Sequence, residues 1–373
     1  MKLVSSIAPL AIALTATAQA SYINYTTVTG YFLQDEASTD ASTFDYTTTN
    51  FGLINRTYSS DNPHNDNLLT QWERFHHHIT TLNHLSPSTI SYKVLFLGRH
   101  GEGYHNAAES YYGTPAWNCY YSLLTGNSTT TWSDADLTPT GIQQAQIAHS
   151  FWSHQIASQR IHTPDTYFVS PLLRALHTAN ITFSDLALQS PFIPTIKEFF
   201  RESVTLHTCD HRHNATYIHS LFPEWTFEKG FSEEDGMWDG VRAESNGAQD
   251  VRSKVALDEV FAGDEVGMFV SVTSHSGEIA SLLRVMGHRE FGLRTGAVLP
   301  VLVRGEIVGD ALEPTVTGTK WETSAHCTAP PVTSVSSGQS LIARIGMPST
   351  RDKVVVEGLS NYSPLVCNRV GSA

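Results

Sequence analysis

Apolar residues fall along this chain in short blocks that alternate with stretches of helical period, and the alternation predicts the fold. Val94-Leu95-Phe96-Leu97 is a continuous apolar run, the pattern of a parallel strand covered on both faces. Thr166–Val169, residues 266–272 and residues 297–303 repeat it. Leu68, Leu69, Trp72, Phe75 and Ile79 are spaced as one face of a helix over residues 68–82, which predicts a core-packing helix. Leu137-Thr138-Pro139 opens another, with Thr138 as cap and Pro139 as first residue, running to about residue 156. Ser170-Pro171 starts a third, with Leu172, Ala175, Leu176 and Ala179 along one side, and a fourth follows at about residues 277–286. Strands alternating with helices predict an α/β fold: a three-layer sandwich whose mostly parallel, doubly wound sheet carries helices on both faces.

The flanks lack that rhythm. Residues 21–67 are rich in Thr, Ser, Asn, Asp and Tyr, with Phe32, Phe44 and Phe51 spaced through them, and are expected as ordered coil draped on the domain. Residues 117–132 are aromatic and polar without a clear period. After Asp310 the composition turns to Thr, Pro, Ser and Gly, with Ala329-Pro330-Pro331 the clearest breaker. A tail is expected there, with a hairpin at residues 340–345 and 353–356. At 373 residues and 40% hydrophobic content, one large domain with insertions is favoured over two. It divides into an N-terminal wrap and helix (21–90), a core (91–310) and a C-terminal extension (311–373).

The first twenty residues change the compartment. Lys2 is followed by an apolar stretch over residues 3–13 and by Ala18-Gln19-Ala20, the layout of a cleaved secretory signal. The stretch is far shorter than the roughly 20 residues that span a bilayer, and nothing comparable follows, so no membrane partner is expected. Asn-x-Ser/Thr sequons at Asn24, Asn55, Asn127, Asn180, Asn214 and Asn361 fit a secreted glycoprotein. Four cysteines, Cys119, Cys209, Cys327 and Cys367, permit three connectivities in an oxidising compartment. Pairing 119 with 209 and 327 with 367 is the favoured one.

Metal and nucleic acid are disfavoured. No cysteine lies in a C-x-x-C pair, and His76-His77-His78 occupies consecutive helix positions that point about 100° apart and cannot grip one ion together. These three are expected as surface histidines. A formal charge of −13 without a Lys/Arg run argues against a phosphate-backbone binder and lowers the capture of anionic polymers.

Against that acidic background, two fragments stand out. Gly98-Arg99-His100-Gly101 and Ser274-His275-Ser276-Gly277 each follow a predicted strand and precede a predicted helix, so both histidines can converge on an anion at the carboxy ends of parallel strands. Phosphoryl transfer to imidazole needs a neutral ring nitrogen and donors that hold the phosphate oxygens. Arginine suits the second task through its planar fork, and Arg99 and Arg174 lie nearest the strand ends. Taken singly, each piece has a plain reading: a cation in a loop, or a strand-end histidine satisfied by a carbonyl. The set is what carries weight.

Further pieces extend it: the run from Leu97 through Glu102-Gly103-Tyr104-His105-Asn106, Leu137-Thr138 with Gly141 and Gln144-Ala145, Ser170-Pro171-Leu172-Leu173-Arg174-Ala175, Arg201-Glu202 and Cys209-Asp210-His211-Arg212. With these the chain resembles the histidine phosphatase superfamily over residues 31–304, in its phosphoglycerate mutase-like branch and a group of fungal members. The resemblance implies that His100 is the nucleophile and that Arg99, Arg174 and His275 surround the phosphoryl group, with Asn106 and Ser276 as further contacts. It implies Glu202 as the acid that protonates the leaving oxygen, needing no metal or cofactor. Read without the family, Glu202 has a plain rival role as a salt-bridge partner of Arg201 or Arg212, and Glu102 and Asp210 are substitute acids.

The chain departs from the acid phosphatase and phytase branch. Glu102, Gly103 and Tyr104 follow Gly101 in place of that branch's Arg-x-Pro, and Ser276 stands where it has Asp beside the second histidine. His211 replaces an arginine that related sequences tend to carry, so a titratable group is expected at the pocket rim. The expected activity is hydrolysis of a small phosphate monoester in the secretory route. A phosphomutase, a biosynthetic enzyme on the same scaffold and a non-catalytic glycoprotein are the alternatives.

Overall fold

The computed structural model of the chain describes residues 21–62, 68–263, 265–309 and 318–331. The strands are β1 (Ser21–Thr27), β2 (Ile90–Arg99), β3 (Thr166–Val169), β4 (Thr195–Ile196), β5 (Thr226–Phe227), β6 (Arg242–Ala243), β7 (Phe269–Ser274), β8 (Val298–Gly309) and β9 (Glu322–Thr323). The helices are α1 (Gln71–Leu85), α2 (Tyr104–Tyr112), α3 (Thr114–Cys119), α4 (Pro139–His154), α5 (Leu173–Phe183), α6 (Ala215–Leu221), α7 (Asn246–Ala262) and α8 (Ser276–Val285).

Seven strands form the central sheet in the order β1-β8-β2-β7-β3-β4-β5. From β2 to β5 all pairings are parallel. Alternation along β2 builds the two faces, because successive side chains of a strand point to opposite sides. Leu95 and Leu97 join Ala256, Leu257 and Val260 of α7 and Ile279, Leu282 and Leu283 of α8. Val94 and Phe96 join Trp72, Phe75 and Ile79 of α1 and Ala148, Phe151 and Trp152 of α4. The layers are helix, sheet, helix, as the apolar runs predict.

Two edge elements differ from expectation. β8 begins where the apolar run does, but it runs antiparallel to β2 and continues to Gly309, because β1 pairs antiparallel along its far side. β1 itself was hidden: only Tyr25 and Thr27 of its seven residues are buried, so no apolar alternation marks it. Over residues 28–62 the segment packs through Phe32 and Phe51, both fully buried.

Local signals set helix starts closely. Thr138 caps α4 by accepting from the Gly141 N–H at 3.1 Å, with Pro139 at the first position. In α1 the cap is Thr70, in a reciprocal capping box with Glu73, so Leu68 and Leu69 lie outside the helix and are exposed. Of the three α1 histidines only His77 is exposed; His78 is buried against the Tyr31 hydroxyl, and His76 stacks on His162.

The cysteine pairing is corrected. Cys119 is bonded to Cys327, and Cys209 is buried with no disulfide partner among the described residues. Cys209 packs among Ala107, Ala108, Trp117, Trp132 and Ala135, while Cys119 ends α3, where its carbonyl accepts the Cys327 N–H at 2.7 Å. Cys367, the signal segment and the proposed hairpin lie outside the described residues.

Candidate active site

Parallel register delivers the site. Arg99 pairs with Ser274 and Val169 with Thr273, so β2, β7 and β3 end level with one another, and the next residues are His100, His275 and Ser170. Backbone bonds continue past the strands: the His100 N–H donates to the Ser274 carbonyl at 3.0 Å and the Ser170 N–H to that of Thr273, also at 3.0 Å.

His100 is buried, and its Nδ1 lies 2.6 Å from the Gly101 carbonyl oxygen. A carbonyl only accepts, so Nδ1 carries the proton and Nε2 keeps its lone pair. Burial, with the Arg174 and Arg99 cations beside it, pushes the His100 pKa well below the usual histidine value. The imidazole is therefore neutral, the form a nucleophile needs.

His275 is buried with its ring centre 4.9 Å from that of His100. Its Nε2 lies 2.6 Å from the Ser170 hydroxyl, and its buried Nδ1 has no partner among the described residues. Burial and Arg174 hold it neutral as well. Arg174 enters from the first turn of α5 and donates to the Cys209 carbonyl at 2.7 Å. Arg99 donates to the Leu293 carbonyl at 2.6 Å. The Nε of each arginine is buried without a partner among the described residues.

Glu202 follows a short helical turn, Glu198–Phe200, and lies over the start of α8. Its carboxylate accepts from the N–H groups of Ser203 (2.9 Å), Gly277 (3.2 Å) and Glu278 (3.2 Å) and, at 3.5 Å, from the Ser276 hydroxyl. A Cβ on Gly277 would collide with that carboxylate, so the glycine makes the seat. The salt-bridge reading of Glu202 fails: Arg201 pairs with Asp235 and Glu198, and Arg212 with Glu198. The loop is held by buried Arg252, which donates to the carbonyls of Phe199, Arg201 and Glu202.

A cavity of about 330 Å³ opens over this group, and the sequence-derived residues Arg99, His100, Asn106, Arg174, Glu202 and Ser276 all line it. His275 is fully buried and is not among the residues lining it. Asn106 spends its side-chain oxygen on the Gly103 N–H, 3.0 Å away at the start of α2. Glu102 is removed as a substitute acid: it accepts from the Thr138 hydroxyl at 2.7 Å and takes no part in the cavity. Asp210 does line it, with Oδ1 3.9 Å from Arg174 Nη2. His211 is corrected; it is exposed and stacks on Trp238 outside the cavity.

Sequence reasoning missed His105, whose ring centre lies 5.4 Å from that of His100, and His207, both in the cavity wall. His105 is also held neutral by burial and Arg174. Its placement directly after the Arg-His-Gly stretch, on the first turn of α2, was the available signal. His207 had none, since it arrives on a loop far from any apolar run.

Similarity to known proteins gives the family. The histidine phosphatase superfamily (branch 1) matches residues 95–294. A protein of Arthroderma benhamiae named probable phosphoglycerate mutase is 49% identical over 78% of this chain and 87% of its own. Phosphomutase-like protein 3 of Candida albicans is 41% identical, covering 57% of this chain and 65% of its own. A solved ecdysone phosphate phosphatase of Bombix mori, in complex with tungstate, is 14% identical with a TM-score of 0.37, covering 62% of this chain and 98% of that one. With this match over more than half its length and a relative nearly half identical over most of it, the chain belongs to the histidine phosphatase superfamily.

Proposed function

We propose that the protein is a secreted phosphatase that hydrolyses a small phosphate monoester through a phosphohistidine at His100. The observation that carries the reading is the carbonyl-fixed, neutral His100 between two arginines whose buried Nε donors have no partner among the described residues. A phosphoryl group at Nε2 would satisfy those donors. With Ser170 donating to its Nε2, His275 would offer Nδ1–H to a third oxygen.

In the first step the Nε2 lone pair attacks phosphorus, the ester P–O bond breaks, and the leaving oxygen takes its proton from Glu202 acting as general acid. In the second, water attacks phosphorus, its proton passes to the Glu202 carboxylate, and the N–P bond breaks to release phosphate. The carboxylate's place over the start of α8, against Ser276 at the cavity wall, supports that role. The two arginines stabilise the charge spread over the phosphoryl oxygens in both steps.

The rim narrows the substrate. Beyond Arg99 and Arg174, the charged residues lining the cavity are Glu109, Glu202 and Asp210. An alcohol carrying its own carboxylate meets like charge there, so neutral or amino-bearing alcohols are favoured. The secretory part of the reading is supported by exposed sequons at Asn24, Asn55 and Asn127; Asn180 and Asn214 are half-buried.

The test is to incubate protein with a reactive phosphate monoester, quench in alkali, and locate phosphate by mass spectrometry while measuring phosphate release. Expected are a phosphate on His100 and turnover, both lost by at least about 10³-fold in His100→Ala. Phosphate moved back to the alcohol without release would convert the reading to a mutase. No adduct and no release would overturn it.

A further inference from the structure

One cluster in the cavity wall is not used by the phosphoryl chemistry. His207, Cys209 and Asp210 each offer one ligand atom, and these atoms lie within 4.8 Å of one another. All three residues line the cavity above His100. His207 precedes, and Cys209 and Asp210 lie within, a single helical turn, Thr208–Asp210, so their spacing is set locally.

We propose that His207, Cys209 and Asp210 form a zinc site that closes the active cavity. An imidazole nitrogen, a thiolate and a carboxylate are the donors a borderline-soft ion takes, whereas calcium and magnesium call for oxygen alone. Tetrahedral bonds of about 2.0–2.3 Å place ligand atoms about 3.5 Å apart. The trio therefore has to contract by roughly 1 Å, within reach of side-chain rotation. Three protein ligands leave the fourth position for water or for a phosphate oxygen, the layout of an open rather than a closed site.

The backbone beneath is fixed before any ion arrives. The His207 N–H donates to the Thr205 hydroxyl at 3.1 Å, and its carbonyl accepts from Trp238 Nε1 at 3.0 Å and from the Asp210 N–H at 3.1 Å. The Thr208 hydroxyl donates to the Leu124 carbonyl at 2.6 Å. Three contacts on Asp210 compete with the ion: the Thr205 hydroxyl, which donates to Oδ2 at 2.5 Å, the Cys209 thiol, 3.8 Å from Oδ1, and Arg174. The same competition gives the site its effect, since an ion that takes Asp210 withdraws the carboxylate facing Arg174 and occupies the space a substrate needs. On binding, the Cys209 thiol gives its proton to solvent and the sulfur–metal bond forms. Among the described residues Cys209 carries no disulfide, Cys119 being paired with Cys327.

The inference stands apart from the phosphatase reading, because its first readout is binding. Untagged, chelator-treated protein is dialysed against Zn²⁺, and separately titrated with Cd²⁺ while thiolate-to-metal absorption is followed. Expected are one tightly held ion per chain, a cadmium–thiolate band, and inhibition of any phosphate release that a chelator reverses. Cys209→Ser should abolish the band. His207→Asn, a half-buried position that tolerates change, should keep the band while weakening affinity at least about tenfold. No band in the unaltered protein, or zinc affinity undiminished in His207→Asn, overturns the site.

Discussion

At the scale of single residues, the site is a set of protonation states imposed by neighbours. His100 is neutral because burial and two arginines oppose its charge, and its reactive nitrogen is chosen by the Gly101 carbonyl. Glu202 is the residue whose role separates most cleanly by experiment. If it protonates the leaving oxygen, Glu202→Gln slows phosphorylation of His100, read by single-turnover labelling, by about 10²–10⁴-fold for an alkyl phosphate but by less than about tenfold for a nitrophenyl phosphate, whose leaving oxygen needs no proton. Equal losses on both substrates would make Glu202 a positioning residue for α8. Residues at this scale were legible where chemistry coincided with a pattern. Arg99, His100, His275 and Ser276 could be read because each ends or follows an apolar run, and Arg174 because a proline-marked helix start precedes it. Asp210 and His211 show the limit: on a tight helical turn adjacent side chains diverge, so one enters the cavity and the other stacks on Trp238 outside it.

At the scale of elements, the nucleophile loop is held by the start of α4. Gly101 and Gly141 face each other so closely that a Cβ on either would run into backbone, of Gly141 in one case and of Glu102 in the other. Thr138, the α4 cap, also donates to the Glu102 carboxylate. Gly141→Ala should therefore push the loop from its seat, costing about 1–3 kcal/mol of stability and lowering kcat, read by denaturant melts and turnover. Unchanged values would mean the two segments part without consequence. Sequence reading found Gly141 as part of a motif but not its reason, which is a contact across 40 residues. A second element carries a pH dependence. His76 on α1 stacks on His162 with ring centres 4.2 Å apart, and burial together with His162 pushes its pKa down to about 4. A histidine depressed in the folded state favours folding fully above its unfolded value of about 6.5 and loses that contribution as pH falls towards 4. His76→Phe keeps the packing on Phe269, 5.4 Å away, and should narrow the difference in Tm between pH 7 and pH 4.5. An unchanged difference would place the acid sensitivity elsewhere, in His100, His105 and His275, which share the sign.

At the scale of the whole molecule, the central sheet was legible because its buried parallel strands are uninterrupted apolar runs, whereas β1 and β9 were not, since exposed edge strands need no apolar pattern. The cysteine pairing was illegible for a related reason: it depends on where the C-terminal segment crosses the surface. Residues 318–331 return to α3 and are tied there by Cys119–Cys327, by the β6–β9 pair and by Arg242 over the Trp321 ring. The segment is mostly exposed and contributes nothing to the apolar clusters of the core, so once the crosslink is cut it can leave without unfolding them. Cys327→Ser should consequently leave the main thermal transition nearly in place while exposing the Lys320–Trp321 bond to rapid trypsin cleavage. Because Trp117 and Asn118 of α3 line the cavity just before Cys119, KM should rise more than kcat falls. A large drop in Tm with Lys320 still protected would show instead that the segment is integral to the core.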